Sequence, residues 1–258
     1  MTARAFLVRG LLAGLFAGIA AFAVGYFVAE PQIQTAISYE ESHADASTTQ
    51  SHSDAGHHDE GGTVVSRHNQ RTWGLLTGTL AVGIALGGIV ALVAAAALGR
   101  IGALSPAQST ALVTLLGWLA VIFVPFLKYP ANPPSVGSAD TIGARTTEYF
   151  VFVLVSVVVA VLSVVLALRV RDHYGTYAGV LAGVAAYLVV IVLAVALMPT
   201  VNEVGDFPAD TLWYFRRDSM ITNATLWAVL GAVLTGLVGR LYSREQGIAA
   251  RRALAASL

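Results

Sequence analysis

The chain has no cysteine and little charge for its length. Only 12% of its 258 residues are charged and 56% are hydrophobic, whereas a soluble domain carries about 25% charged residues. A soluble domain of this size cannot bury so many apolar side chains. The formal net charge is zero, so no basic field attracts nucleic acid as a partner. The absence of cysteine excludes disulfides, thiolate metal ligands and a cysteine nucleophile.

Six stretches of the sequence contain no charged side chain and reach about 20 residues or more, enough to cross a hydrocarbon core of about 30 Å as a helix. They are Gly10 to Ala29, Thr72 to Gly99, Ile101 to Leu127, Tyr149 to Leu168, Tyr174 to Asn202 and Ser219 to Gly239. In the third stretch, Ser105 followed by Pro106 indicates a helix start. The sequence therefore predicts an all-α polytopic protein with six transmembrane helices, and the lipid bilayer is its first partner.

The predicted spans divide the chain into four parts. These are a first transmembrane helix (1–29), an outer loop (30–71), a five-helix transmembrane bundle (72–241) and a basic tail (242–258). A cleaved signal peptide is the alternative for the first part, because Arg4 and Arg9 precede its apolar run. The length of that run, and Phe27 where a cleavage site needs a small residue, favour a membrane anchor.

The distribution of charge predicts the orientation. With the N-terminus inside, nine basic residues lie on the cytoplasmic side and six on the other side, where the loops are longer. The positive-inside rule therefore predicts that both termini are cytoplasmic. Only two acids, Asp172 and Glu245, then lie inside. The acids of the outer face give it a negative charge that concentrates cations; the alternative is that acids are simply tolerated there while basic residues are selected inside.

The first outer loop contains a His- and acid-rich segment, Ser42 to Gly62, with almost no large apolar residue. Such a segment cannot bury a core, so we expect it to be disordered. Imidazole and carboxylate groups bind cobalt, nickel, copper and zinc, which makes the segment a candidate collector of metal ions. Its candidate ligands are His43, Asp45, His52, Asp54, His57, His58, Asp59 and Glu60. A solvated linker that happens to be rich in His is the alternative.

The second and third outer loops share a pattern of Asn, Val-Gly, Asp-Thr, an aliphatic residue and Arg. Such a repeat is typical of the units that frame substrate sites in transporters, although coincidence is the alternative. We predict a shared access site for an ion, with oxygen ligands from Asn132, Asp140, Asn202, Glu203, Asp206 and Asp210. Structural roles are predicted for Pro130, Pro133, Pro134 and Pro199, which free carbonyl groups or simply end helices, and for Arg145 and Arg216, which brace the carboxylates.

Ionisable side chains are missing from the middle of all six stretches. Such side chains usually mark proton relays and ion pathways, so their absence argues against a permease that acts alone. It argues further against an intramembrane enzyme, which needs an acid, a base or an activated nucleophile. No Walker motif is present either. We therefore expect a protein that is not an enzyme.

A resemblance to a known family is carried mainly by the last loop and helix. Its residues are Asn202-Glu203-Val204, Phe207-Pro208-Ala209, Leu212-Trp213, Phe215-Arg216, Ser219 and Leu226-Trp227, together with the Arg- and Gly-bearing first helix, the His/acid loop and Lys128 to Gly137. In these positions the chain resembles the CbtA family of predicted cobalt transporter subunits.

The resemblance implies a multi-pass protein of the bacterial inner membrane that takes up cobalt for cobalamin synthesis. Cobalt would be the transported ion, and no cofactor is expected. The resemblance also implies a small single-helix, His-bearing partner of the CbtB type. A membrane protein that senses metal or scaffolds metal handling without transport is the alternative, and an unrelated exporter is a further one.

Overall fold

The computed structural model describes the backbone of residues 2–48 and 65–257, and their side chains apart from those of 43–48 and 139. Within these ranges it contains five long apolar helices and no strand. The first, α1, comprises Ala3–Val24, a π-helical segment Gly25–Ala29 and Glu30–Thr48. The others are α2 (Arg67–Ala97), α3 (Pro106–Lys128), α4 (Ile142–Leu197) and α5 (Ala209–Ala256). The prediction of an all-α polytopic membrane protein is confirmed.

The start of α3 follows from its sequence. Ser105 Oγ accepts a hydrogen bond from the Gln108 backbone N–H (3.3 Å), and Gln108 Oε1 accepts one from the Ser105 backbone N–H (3.0 Å). This reciprocal capping box satisfies two N–H groups that a helix start leaves without partners. Pro106 occupies the first turn, where its missing N–H costs nothing. The predicted helix start at Ser105-Pro106 is confirmed.

The sequence predicted six spans and the structure contains five long apolar helices, because the predicted fourth and fifth spans correspond to the two arms of α4. The 56 residues of α4 form two helical arms that join at Gly175, with φ 86° and ψ 168°. The chain reverses at this glycine, because the two arms lie side by side. Ser156 Oγ and Tyr187 OH are 2.8 Å apart, and a Cβ on Gly183 would lie 2.9 Å from the carbonyl oxygen of Ser163.

The sequence placed the end of the first helix at Ala29 and the start of the first outer loop at Glu30. In the structure, the helical backbone of α1 continues beyond this boundary. The backbone stays helical to Thr48, and α2 begins at Arg67. Two contacts explain the extension. Glu30, only 7% exposed, forms an ion pair with Arg67, and Ala36 is buried in an apolar cluster beyond the end of the first apolar run. The basic tail is likewise helical, since α5 continues to Ala256.

Helices α1 and α2 touch backbone to backbone along a row of glycines. A Cβ on Gly10 or Gly14 would overlap the carbonyl oxygen of Gly87 or Gly83, and a Cβ on Gly18 would lie 2.7 Å from the carbonyl oxygen of Thr79. Small residues at spacing four allow this approach, which gives helices in lipid their van der Waals contact. The main apolar core combines α1 and α2 with α5.

Helix α4 lies at the edge of this bundle. Its buried residues are few, and it packs mainly against the outer half of α3. Many of its apolar side chains are exposed, among them Leu154, Leu162 and Val192. In a membrane helix, exposed apolar side chains are expected to contact the hydrocarbon chains of the lipid, which are apolar as well.

Adding a methyl group at the glycine contact should destabilise the protein. We expect Gly87→Ala to lower the free energy of unfolding by about 1–3 kcal/mol, the usual cost of overpacking. Gly78→Ala, on the same helix with nothing within 4 Å of the added carbon, should change it by no more than about 1 kcal/mol. Thermal unfolding of the two purified variants measures the difference. Equal midpoints would contradict the close contact between α1 and α2.

Candidate functional site

The outer ends of α3 and α4 are tied together by Lys128 and Tyr129. Lys128 Nζ donates to the carbonyl oxygens of Val195 (3.0 Å) and Met198 (3.2 Å). Tyr129 OH donates to the carbonyl oxygen of Pro199 (2.8 Å), one of the carbonyl groups expected to be freed by proline. The second outer loop (129–141) therefore lies directly beside the third outer loop (198–208).

Glu203 joins the two loops. Its Oε2 accepts hydrogen bonds from the Ser138 backbone N–H (3.0 Å) and the Thr141 hydroxyl (2.8 Å), and it lies 3.5 Å from Arg145 Nε. The pKa of Glu203 lies below its usual range. The main cause is the hydrogen bond from Ser138, followed by the one from Thr141 and by the charge of Arg145. The carboxylate stays ionised, but one of its two oxygens is already occupied by loop contacts.

The two arginines at matched positions act differently. Arg145 pairs with Glu203 as the bracing hypothesis requires. Arg216 instead donates from Nε to the Ala131 carbonyl oxygen (3.3 Å) and from Nη2 to Asn132 Oδ1 (2.9 Å). The bracing role therefore fits the contacts of Arg145 and not those of Arg216 among the described residues. Arg216 holds the second outer loop against α5 through the carbonyl and the amide that this loop presents.

The extension of α1 completes the outer end of the bundle. Tyr39 OH donates to the Asp206 carbonyl oxygen (3.2 Å), and its ring meets that of Phe207 edge to face at 5.2 Å. Around them, Ala36, Val136, Phe207 and Leu212 are buried together. We call these four residues with Tyr39 the outer cap. It contains contributions from α1, both loops and α5.

Of the six oxygen ligands predicted for the shared access site, two make contacts between the joined loops or with α5, and four are exposed. Asn132 and Glu203 lie at the joined loops and are engaged in the contacts described above. The other four, Asp140, Asn202, Asp206 and Asp210, are exposed. Of the four structural prolines, Pro133 is buried and the other three are at least partly exposed.

A cavity of about 600 Å³ lies below the second outer loop, between the outer end of α3, the start of α4 and α5. Three basic residues, Lys128, Arg145 and Arg216, contribute to its lining, and no carboxylate does. Such a lining repels a bare divalent cation. Of the predicted oxygen ligands, only Asn132 faces this cavity.

The predicted metal ligands of the first outer loop lie almost entirely outside the described residues. The backbone of His43 and Asp45 is helical, at the end of α1. The remaining six are His52, Asp54, His57, His58, Asp59 and Glu60. In the part of the chain that the structure describes, no three His, Asp or Glu side chains gather in a group able to hold a metal ion.

Sequence analysis missed two buried carboxylates, one in α1 and one in α5. Asp218 is 1% exposed, with Oδ1 accepting from Arg217 Nε at 2.7 Å, and its Oδ2 has no hydrogen-bond partner among the described residues. Glu30, paired with Arg67, is the other. Each residue lies just outside a charge-free run, so the sequence predicted a solvent-exposed side chain. Only the three-dimensional packing shows that these side chains face the protein.

The pH dependence of stability should reveal the role of Glu203. A lowered pKa stabilises the fold at pH values above the ordinary Glu pKa of about 4.3, and this stabilisation is lost as the pH falls through the lowered value. We therefore expect Glu203→Gln to lower the unfolding midpoint at pH 7, with the deficit shrinking below about pH 4. Asp140→Asn, an exposed acid on the second outer loop, is the control and should behave as wild type. A deficit that does not vary with pH would contradict the contacts of Glu203.

Comparison with known proteins shows the family. No curated protein and no solved structure matches the chain. The family model described as "Probable cobalt transporter subunit (CbtA)" matches residues 3–239, nearly the whole chain. Helices α1 to α4, the joined loops and the outer cap all lie within the matched range, and α5 continues past it to Ala256. The chain therefore belongs to the CbtA family of probable cobalt transporter subunits.

Proposed function

We propose that this protein is the membrane subunit through which cobalt(II), or a closely similar divalent ion, enters a bacterial cell to serve cobalamin synthesis. The observation that carries the proposal is the family match over residues 3–239. The five long apolar helices and the surplus of acids on the predicted outer face support it. The metal itself is substrate and leaves with each transport cycle.

The ion is collected, in this proposal, by the His- and acid-rich segment of the first outer loop. Neutral imidazole and carboxylate groups bind borderline cations reversibly, and binding weakens as imidazole is protonated near pH 6.5. The segment begins in the last turns of α1, and this extension of α1 reaches the third outer loop through Tyr39 and Asp206. Collected ions are thereby delivered near the exposed oxygen ligands of the two joined loops.

A carboxylate would assist the step into the membrane, and the cationic cavity has none in its lining. Asp218 is the candidate, because its Oδ2 is buried without a hydrogen-bond partner among the described residues, while Arg217 pairs with its other oxygen, Oδ1. Acids beside transmembrane segments that face the protein often mark ion pathways. Asp218 lies on α5 one helical turn from Thr222, which is close to Gly25 at the start of the π segment of α1. We propose that the ion passes between α1 and α5 at this level.

A small single-helix, His-bearing partner of the CbtB type is proposed as the other subunit, since the family is described as a subunit. The non-transporting alternative, a sensor or scaffold, is favoured by a different observation. The middle of the charge-free runs offers no ionisable ligand. Measuring cobalt accumulation in cells that express the chain with and without the partner separates the two functions.

Uptake of radioactive cobalt by three variants tests the route and the collector separately. We expect Asp206→Asn and Asp218→Asn each to reduce uptake several-fold while the protein remains normally abundant in the membrane. His57→Ala combined with His58→Ala should reduce uptake only at low external cobalt, because a collector matters only when the ion is scarce. Glu245→Gln, near the other end of α5, is the control. Wild-type uptake in both Asp variants would contradict the proposed route.

Orientation is tested by cysteine labelling, which the cysteine-free sequence makes simple. The later part of α1 and the start of α5 meet in the outer cap. The start of α1 and the end of α5 therefore lie on the same side of the bundle, opposite the outer cap. With both termini cytoplasmic, an impermeant thiol reagent should label Ser53→Cys in intact cells and leave Ser257→Cys unlabelled. The reverse labelling would overturn the proposed location of the termini.

A further inference from the structure

We propose that the cavity between α3, α4 and α5 binds the phosphate group of a membrane phospholipid. This site is separate from the proposed ion route, and its ligand is an anion rather than a metal. The cavity has a volume of about 600 Å³, within the range of sites that bind small molecules or head groups.

The lining of the cavity suits an anion. Its charged members are Lys128, Arg145 and Arg216, all basic. Lys128 contributes its charge only, because its Nζ already donates to three oxygens of the third outer loop and the end of α4. Side chains able to donate hydrogen bonds accompany the two arginines, namely Asn132, Thr146, Tyr149, Ser219 and Asn223. Two carboxylates approach without lining the cavity. Glu203 pairs with Arg145 from the third outer loop, and Glu148 helps to raise the pKa of Tyr129, after burial as the larger cause.

The two arginines are positioned before any ligand arrives. Arg216 uses Nε and Nη2 to hold the second outer loop, and its Nη1 has no hydrogen-bond partner among the described residues. Arg145 uses Nη2 to donate to the Ser138 carbonyl oxygen (3.1 Å) and directs Nε toward Glu203. A guanidinium carries five N–H donors in a planar fork that matches phosphate oxygens. Because both side chains are already fixed, little rotamer entropy is lost on binding.

The apolar part of the cavity favours a lipid over free phosphate. Ile122, Phe126, Ile142 and Phe150 contribute to the lining, and Ile142 and Phe150 are 55% and 63% exposed. Free phosphate makes no use of such a surface, whereas acyl chains do. Lys128 ends the apolar helix α3, so the cavity opens at the level where phosphate groups of the bilayer lie. Tyr129 and Tyr149 provide the aromatic side chains typical of that interface.

A bound lipid would also connect α4 to the rest of the protein. Helix α4 packs mainly against the outer half of α3, and the cavity lies between α4, α3 and α5. A phosphate held by Arg145 of α4 and Arg216 of α5 therefore bridges two helices that otherwise share little surface. The lipid should stabilise the fold.

The test is thermal unfolding of the full-length protein, purified in detergent and stripped of lipid. We expect dioleoyl phosphatidylglycerol to raise the midpoint by about 5 °C or more at about 100 times its dissociation constant. Dioleoylglycerol, which has the same chains without phosphate, and inorganic phosphate, which has no chains, should each raise it by less than half as much. An equal rise with dioleoylglycerol or with inorganic phosphate overturns the lipid-phosphate assignment.

Variants locate the site. Arg216→Gln should at least halve the rise caused by phosphatidylglycerol. Arg100, an exposed basic residue just after the end of α2 and outside the cavity lining, provides the control. Arg100→Gln should leave the rise unchanged. If Arg216→Gln does not yield folded protein, Tyr149→Phe combined with Ser219→Ala removes two lining hydroxyls and should also halve the rise. The same rise in these variants as in wild type shows that the cavity is not the site.

Discussion

The backbone contact between α1 and α2 is the constraint on which the rest of the structure depends. In a bilayer, apolar side chains gain no hydrophobic free energy when they exchange lipid contacts for protein contacts, because lipid chains are equally apolar. Helices therefore associate through close packing and hydrogen bonds. The glycines of α1 and α2 provide that packing, because carbonyl oxygens lie where side chains would otherwise stand. With α1 fixed in this way, α5 packs across it and forms the main core.

The same contact also positions the outer end of the molecule. Since α1 continues as a helix beyond its apolar run, it carries Ala36 and Tyr39 to the outer cap. There the third outer loop is held by Tyr39 on one side and by the contacts of Glu203 on the other. A loop held from two sides can present its exposed acids at defined positions, which a transporter requires of an external binding surface.

The sequence predicted the membrane helices well because a charge-free run of sufficient length has few other uses. It predicted the start of α3 because Ser105, Pro106 and Gln108 act locally. It did not predict that α1 continues past Ala29 or that Glu30 and Asp218 are buried, since these features depend on partners distant in sequence. The pattern shared by the second and third outer loops pointed to residues that do lie near each other, but Arg216 binds an amide there, where the pattern suggested a carboxylate.

One measurement tests most directly the claim that α1 and the third outer loop form a single outer cap. In the cysteine-free background, Tyr39→Cys and Phe207→Cys replace two rings whose centroids are 5.2 Å apart. A short bifunctional thiol reagent applied in membranes should cross-link this pair within one chain, because the two side chains are in contact, while Tyr39→Cys with Tyr174→Cys, beside the Gly175 reversal of α4, should give no cross-link. No cross-link in the first pair, or equal cross-linking in both, would contradict the outer cap.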